Sequence, residues 1–260
     1  MFSKKVRFYY IRNIIILMLR YAYHNKSKKK SFFKTINNET DIYRKLDLYD
    51  QKKNKFKKGG EKVWRKLVSI IEENLKFSEE IFVKKSLNIL LPLIKTNIRK
   101  NNYLREFDTK SKFDPFDYKI INKTIDLHVP RIGFYPHNKI NNNTKKNENR
   151  KELRLKKLYR LIKYAHKNNT NLKMIRMGSW MNENKSFRCL FPNSWRKSKK
   201  VIKKNNLATW GQFINYNSSI NLTLKNRFIK NYKFPIESYY YQCSVNDLKS
   251  YLKSKIFTKK

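Results

Sequence analysis

The chain has 260 residues, 62 of them Lys or Arg against 19 Asp or Glu, which gives a formal net charge of +43. Such an excess repels itself in the free protein and calls for a polyanionic partner, nucleic acid first and an acidic membrane surface second. Hydrophobic residues at 40% and aromatics at 15%, with only five glycines, exclude a disordered basic tail and provide for a folded core.

The first fifty residues read as an extension. The first thirty-six carry no acid, and Arg12 and Arg20 flank the apolar run at residues 14–19. That run is too short to span a bilayer. A basic, acid-free, amphipathic start fits a mitochondrial transit peptide or, if retained, an organelle-encoded protein or a docking arm. Residues 52–62 then bring six lysines (Lys52, Lys53, Lys55, Lys57, Lys58 and Lys62) and the pair Gly59-Gly60 to the start of a helix. The N–H groups and dipole there favour an anion, so a phosphate backbone is a natural ligand.

The cleanest helical periodicity follows. Trp64, Leu67, Val68, Ile71 and Leu75 share one face, as do Val83, Leu87, Leu90, Leu91 and Ile94. The joint is Lys76-Phe77-Ser78, with Ser78 as cap and Glu79 and Glu80 in the second first turn, so the two form an αα-hairpin. Pro92 is expected to end or kink the second helix. Asp114-Pro115-Phe116-Asp117 reads as a turn. Ile121, Ile125, Leu127 and Val129 at even spacing predict a strand, which Pro130 makes an edge or a hairpin arm. That ribbon carries Lys119, Lys123 and Arg131, with Lys139 nearby. Residues 138–150 are Asn/Lys low complexity and read as an exposed insertion.

A third helix over residues 152–167 has Leu155, Leu158, Leu161, Ile162 and Ala165 on one face and Arg154, Lys156, Lys157, Arg160 and Lys163 on the rest. Residues 170–200 hold Trp180 and Trp195 and end in the basic run Arg196-Lys197-Ser198-Lys199-Lys200, continued by Lys203-Lys204. A second extension after Tyr216 contains Tyr239-Tyr240-Tyr241 and a short last helix near 246–256. The expected fold is mainly α: a helical bundle with one β-ribbon and extended basic termini. Its parts are an extension at 1–54, a core at 55–216 with insertions near 100–118 and 136–150, and a second extension at 217–260.

This order of elements resembles the universal small-subunit ribosomal protein seven family. The family's hairpin is entered from a basic glycine-containing loop, here Lys57-Lys58-Gly59-Gly60-Glu61-Lys62. Its second helix ends in a Leu…Pro-Leu pattern before an arginine, here Leu87, Pro92, Leu93 and Arg99. Its ribbon carries Val-Pro, here Val129-Pro130. A basic helix, paired lysines and Phe-x-x-Tyr follow, here residues 153–167, Lys203-Lys204 and Phe213 to Tyr216. The match covers about residues 55–216. The chain departs from the family where paired glycines usually precede the ribbon, where insertions fall, and after Phe-x-x-Tyr, where Asn217-Ser218 replaces the aromatic ending. The resemblance implies a mostly helical, non-catalytic structural protein of the small ribosomal subunit, binding rRNA of the head. Neighbouring small-subunit proteins, mRNA and E-site tRNA are the further partners it implies. The terminal extensions and the A+T-rich codon bias behind so much Lys, Asn, Ile, Tyr and Phe suit a mitochondrial ribosome in the matrix.

The candidate RNA-binding residues are Lys55, Lys57, Lys58 and Lys62 at the hairpin entrance and Arg99 and Lys100 at its exit. Lys123 and Arg131 stand on the ribbon and Arg154 and Lys157 on the third helix. Arg196, Lys197, Lys199, Lys200, Lys203 and Lys204 form the basic run. The alternatives are another lineage-specific mitoribosomal RNA-binding protein, and an organellar nucleic-acid enzyme of nuclease or maturase type. Metal-dependent phosphoryl chemistry needs clustered carboxylates, and Asp114/Asp117, the closest pair outside the helices, reads as a turn. Cys189 and Cys243 form no Cys-x-x-Cys, and His24, His128, His137 and His166 are scattered, so no metal or cofactor is expected. No membrane partner is expected either.

Overall fold

The computed structural model describes residues 4–26, 31–50, 53, 55–99, 112–113, 115–129, 144–202, 207–213, 215 and 219–257. Two compact units divide the chain, and each takes two pieces of it. Unit 1 is Met1–Arg105 with Trp210–Pro235, and unit 2 is Glu106–Thr209 with Ile236–Lys260. Helix dominates, as expected, but the strand content exceeds one ribbon.

Unit 1 begins with α1 (Lys4–His24), α2 (Phe32–Asn38) and α3 (Ile42–Lys45), followed by the short pair β1 (Tyr49–Asp50) and β2 (Lys55–Phe56). Next come α4 (Gly60–Glu73) and α5 (Glu79–Arg99), the hairpin that the periodicity predicts. The sequence suggests a terminal extension where α1 stands, and here the structure differs. Ile11, Ile14, Ile15, Leu17, Met18, Leu19 and Ala22 are fully buried, so α1 is the central helix of the unit and α5 lies along it. A helix apolar on nearly every side belongs inside a core. Pro92 does not stop α5. It lies on the exposed side, one turn after the exposed Asn88, whose carbonyl loses its N–H partner where water can replace it. Among the described residues no helix is long and apolar enough to cross a membrane.

Unit 2 opens with β3 (Asp117–Ile121) and β4 (Thr124–His128), a hairpin turned at Asn122 with φ 46° inside the stretch that even spacing reads as one strand. Ile121 is therefore exposed on β3, apart from the buried Ile125 and Leu127, and β4 is an inner strand rather than an edge. This ribbon is one side of a five-stranded sheet. After it come α6 (Thr144–Asn168), β5 (Met174–Ser179), α7 (Lys185–Arg188), α8 (Asn193–Lys197) and β6 (Lys200–Val201). A ten-residue helix, α9 (Leu222–Asn231), returns to unit 1, and β7 (Tyr239–Ser244) and α10 (Val245–Phe257) complete unit 2. The strand order is β3-β4-β5-β7-β6. Only β4 and β5 are parallel, as their crossover through α6 requires.

One face of this sheet carries the core. Ile125, Leu127, Ile175, Met177, Tyr241 and Cys243 alternate inward and meet Leu155, Leu158, Leu161, Ile162 and Ala165 of α6 with Leu248 and Leu252 of α10. Those α6 residues are the face the spacing predicts. Residues 236–257, expected within an extension, instead supply a strand flanked on both sides and a packed helix.

Burial, with the charge of Asp247 adding to it, pushes the Cys243 thiol up to about 12. Iodoacetamide at pH 8 is therefore expected to label the half-exposed Cys189 and to react with Cys243 about a thousandfold more slowly than with an ordinary thiol. Peptide mass spectrometry before and after denaturation reads this. Equal labelling in the native state would place Cys243 outside the core.

Candidate nucleic-acid interface

In unit 1 the predicted basic entrance is built on a fixed loop. Tyr49 pairs with Phe56 and Asp50 with Lys55 across β1 and β2. Tyr43, Tyr49, Phe56 and Trp64 form an aromatic cluster beneath them, with ring centroids 5.1–5.8 Å apart. Gly59 has φ 73°, a conformation suited to glycine, and a Cβ on Gly60 would stand 2.5 Å from the Leu48 carbonyl oxygen. The two glycines thus let the lysine loop cross β1's approach and turn into α4. Lys55, Lys58 and Lys62 are exposed there. Lys57 is also exposed but is held by an ion pair to Asp47, and Glu61 in the first turn of α4 is engaged by Arg65 at 2.7 Å.

Arg99 ends α5. Its side chain, and all of Lys100, Arg131, Lys203 and Lys204, lie outside the described residues, as do Asp114 and residues 138–143. Unit 1 also holds cations the sequence reading left out of the candidate site. Arg12, Arg20 and Lys84 line an open groove of about 410 Å³ between α1 and α5, beside Glu80 and Asn88. Arg20 is bound to Glu79 at 2.6 Å, and Tyr232 donates to the same carboxylate at 3.0 Å. Arg12 and Arg20 flank an apolar run that reads from the sequence as part of an extension, whereas the structure buries that run in the core of unit 1.

In unit 2 the basic run is anchored rather than loose. Trp195 is fully buried and stacks on Phe191 at 4.1 Å. Ser198 donates to the Trp195 carbonyl at 2.7 Å and accepts from the Gln242 N–H at 2.7 Å, tying the run to β7. Arg196, Lys197, Lys199 and Lys200 consequently project outward and are exposed. Lys199 pairs with Glu183 at 3.2 Å and lies 3.7 Å from the Tyr239 ring centre. Burial opposes ionisation of Glu183, but hydrogen bonds from Tyr241 and Lys199, with the charges of Lys199 and Arg188, prevail and hold its carboxyl below the ordinary value. A hydrogen bond to Glu237, some burial and the charges of Glu237 and Glu183 push the Tyr239 phenol up to about 12.

Lys123 sits at the β3–β4 turn, exposed, and its carbonyl accepts from the Lys173 N–H at 2.9 Å. Lys173 is the exposed neighbour that sequence reading missed, because only the parallel pairing of β4 with β5 brings it there. Arg154 and Lys157 on α6 are half-buried, less available than their helical positions suggest. The candidate residues therefore fall into three exposed groups: the α4 entrance, the β3–β4 turn and the α8–β6 run. Among the described residues no three His, Cys, Asp or Glu side chains are grouped so as to hold a metal ion.

No family model, curated protein or solved structure matches the chain.

Proposed function

We propose that this chain is a structural RNA-binding protein of the mitochondrial small ribosomal subunit, contacting rRNA of the head without turnover. The observation that carries the reading is the charge of +43, with lysines and arginines held outward on anchored loops. Lys and Arg in such positions neutralise phosphates and release counterions, and exposed aromatics can stack on splayed bases. Asp47, Glu61, Glu79, Asp126 and Glu183 are engaged with basic partners, which leaves few acids to oppose a polyanion. Neighbouring small-subunit proteins, mRNA and E-site tRNA are the further partners of this reading.

A second reading is a mitoribosomal RNA-binding protein outside the ribosomal protein seven family. The five-stranded sheet of unit 2 favours it, because the resemblance implies helices with a single β-ribbon. So does the division of residues 55–216 between two units. Sedimentation of lysed mitochondria followed by crosslinking separates the possibilities. The first reading expects co-migration with the small subunit and crosslinks to the 3′ major domain of its rRNA. Crosslinks elsewhere in that subunit support the second. Migration with the large subunit or away from ribosomes, or divalent-dependent RNA cleavage by purified protein, overturns both.

A further inference from the structure

The sheet of unit 2 has a second face. Side chains alternate across a strand, and those opposite the core form rows across it. One row is Lys119, Asp126, Arg176 and Gln242, on β3, β4, β5 and β7. The next is Gly178, Tyr240 and Lys200, on β5, β7 and β6. None of these residues is buried. Asp126 lies 3.6 Å from both Lys119 and Arg176, so it positions two cations whose side chains remain 70% and 39% exposed.

Tyr240 is the feature that stands out. Of the three consecutive tyrosines, Tyr239 donates its hydroxyl to Glu237 and Tyr241 donates to Glu183. Tyr241 also stacks near Trp195, and Tyr239 lies beneath Lys199. Tyr240 has neither a hydroxyl partner nor a ring partner among the described residues, and it is 46% exposed. Its ring lies across Gly178. A Cβ there would stand 2.5 Å from Cε1 and 2.9 Å from Cδ1, so glycine alone lets the ring settle so close to the neighbouring strand. The ring is supported by the sheet and open to solvent.

We propose that this face is a platform for unpaired RNA nucleotides. A base stacks on the open side of Tyr240, Arg176 and Gln242 meet base edges, and Lys119, Lys200 and the Lys123–Lys173 corner meet phosphates. A flat sheet with a held aromatic offers a π surface to splayed bases, whereas the bases of a duplex are already stacked on one another. The proposal rests on the RNA-binding reading above and narrows it to single strands at one surface.

The test uses the full chain, a fluorescein-labelled oligouridylate and an RNA duplex of the same length, read by anisotropy. Tyr240→Leu keeps an apolar side chain over Gly178 but removes the ring. It is expected to weaken oligouridylate binding about tenfold to a hundredfold while leaving duplex binding unchanged. Tyr240→Phe is expected to stay within about twofold of the parent. Photocrosslinking of the unsubstituted chain to thiouridine-containing oligouridylate is expected to mark the β7 peptide, a readout independent of any variant's folding. Unchanged single-strand affinity in Tyr240→Leu, equal loss on both RNAs, or crosslinks confined to other peptides overturns the platform and leaves RNA binding standing. Failure of the parent chain to bind either RNA overturns the proposed function, and the platform with it.

Discussion

A chain lacking residues 1–26 is expected to lose the fold of unit 1. The helix removed is α1, and Ile11, Ile14, Ile15, Leu17, Met18 and Leu19 have no exposed surface in it. Fully burying one such side chain contributes about 1.5–3 kcal/mol, so the six together contribute on the order of ten. That is comparable to the whole stability of an ordinary domain, about 5–15 kcal/mol. The deletion also removes Tyr21, whose ring packs on Trp210 and Phe228 and whose hydroxyl donates to Glu39, and Arg20, which pairs with Glu79 at the start of α5. Hydrogen exchange followed by mass spectrometry gives the readout. Amides of α5 that are protected in the full chain are expected to exchange freely in the deletion. Retained protection over residues 82–98 would mean that α1 is a peripheral arm.

RNA affinity is expected to fall steeply with salt. Lys55, Lys58, Lys62, Lys123, Arg196, Lys197 and Lys200 are exposed. If each neutralises one phosphate, counterion release on a single strand gives a slope of log K against log salt near −5, or roughly a thousandfold loss between 50 and 200 mM. Replacing Lys58 and Lys62 together by Gln should make the slope shallower by about 1–2 without affecting folding, because both side chains stand in solvent. Anisotropy titrations over a salt series measure both quantities. An affinity that barely responds to salt would remove the electrostatic basis of the proposed function.

Local periodicity was readable from sequence, and partners brought together by distant pairing were not. The α4–α5 hairpin and the apolar stripe of α6 obey a 3.6-residue period and bury most of the expected side chains, from Trp64 and Val68 to Leu158 and Ile162, with Leu67, Leu75 and Leu91 half-buried at the margins. In α1 nearly every face is buried, so no polar stripe marks it as helix, and its flanking arginines suggest a leader instead. β5 is a six-residue stretch whose outward positions are Met174, Arg176 and Gly178, a weak alternation beside strong basic runs. β7 is three tyrosines in a row before Gln242 and Cys243. Only its register against β5 decides that Tyr241 is core and Tyr240 surface.

The lysine-glycine entrance was likewise visible because its chemistry is contiguous, with Gly59 and Gly60 set by backbone needs. Asp47, which holds Lys57, comes from a left-handed residue ten positions earlier and gave no signal. The Lys123–Lys173 corner and the joining of β4 to β5 and of β5 to β7 across the sheet's outer face depend on pairing between residues fifty or more apart, which composition and spacing do not encode.

Each unit is sewn from two separated lengths of chain, and this sets a timetable for synthesis. As the chain leaves a ribosome, unit 1 stays unfinished until residues 210–235 arrive, after every residue of the intervening 106–209 has been made. Unit 2 waits longer, since β7 comes later still. Until then β5 lacks its antiparallel neighbour and β6 has no strand to join. An exposed strand edge in a nascent chain is a site for wrong pairing. The last fifty residues thus act as the closing stitch for both units, and a chain released early would present two half-built cores in place of one finished unit and one missing unit.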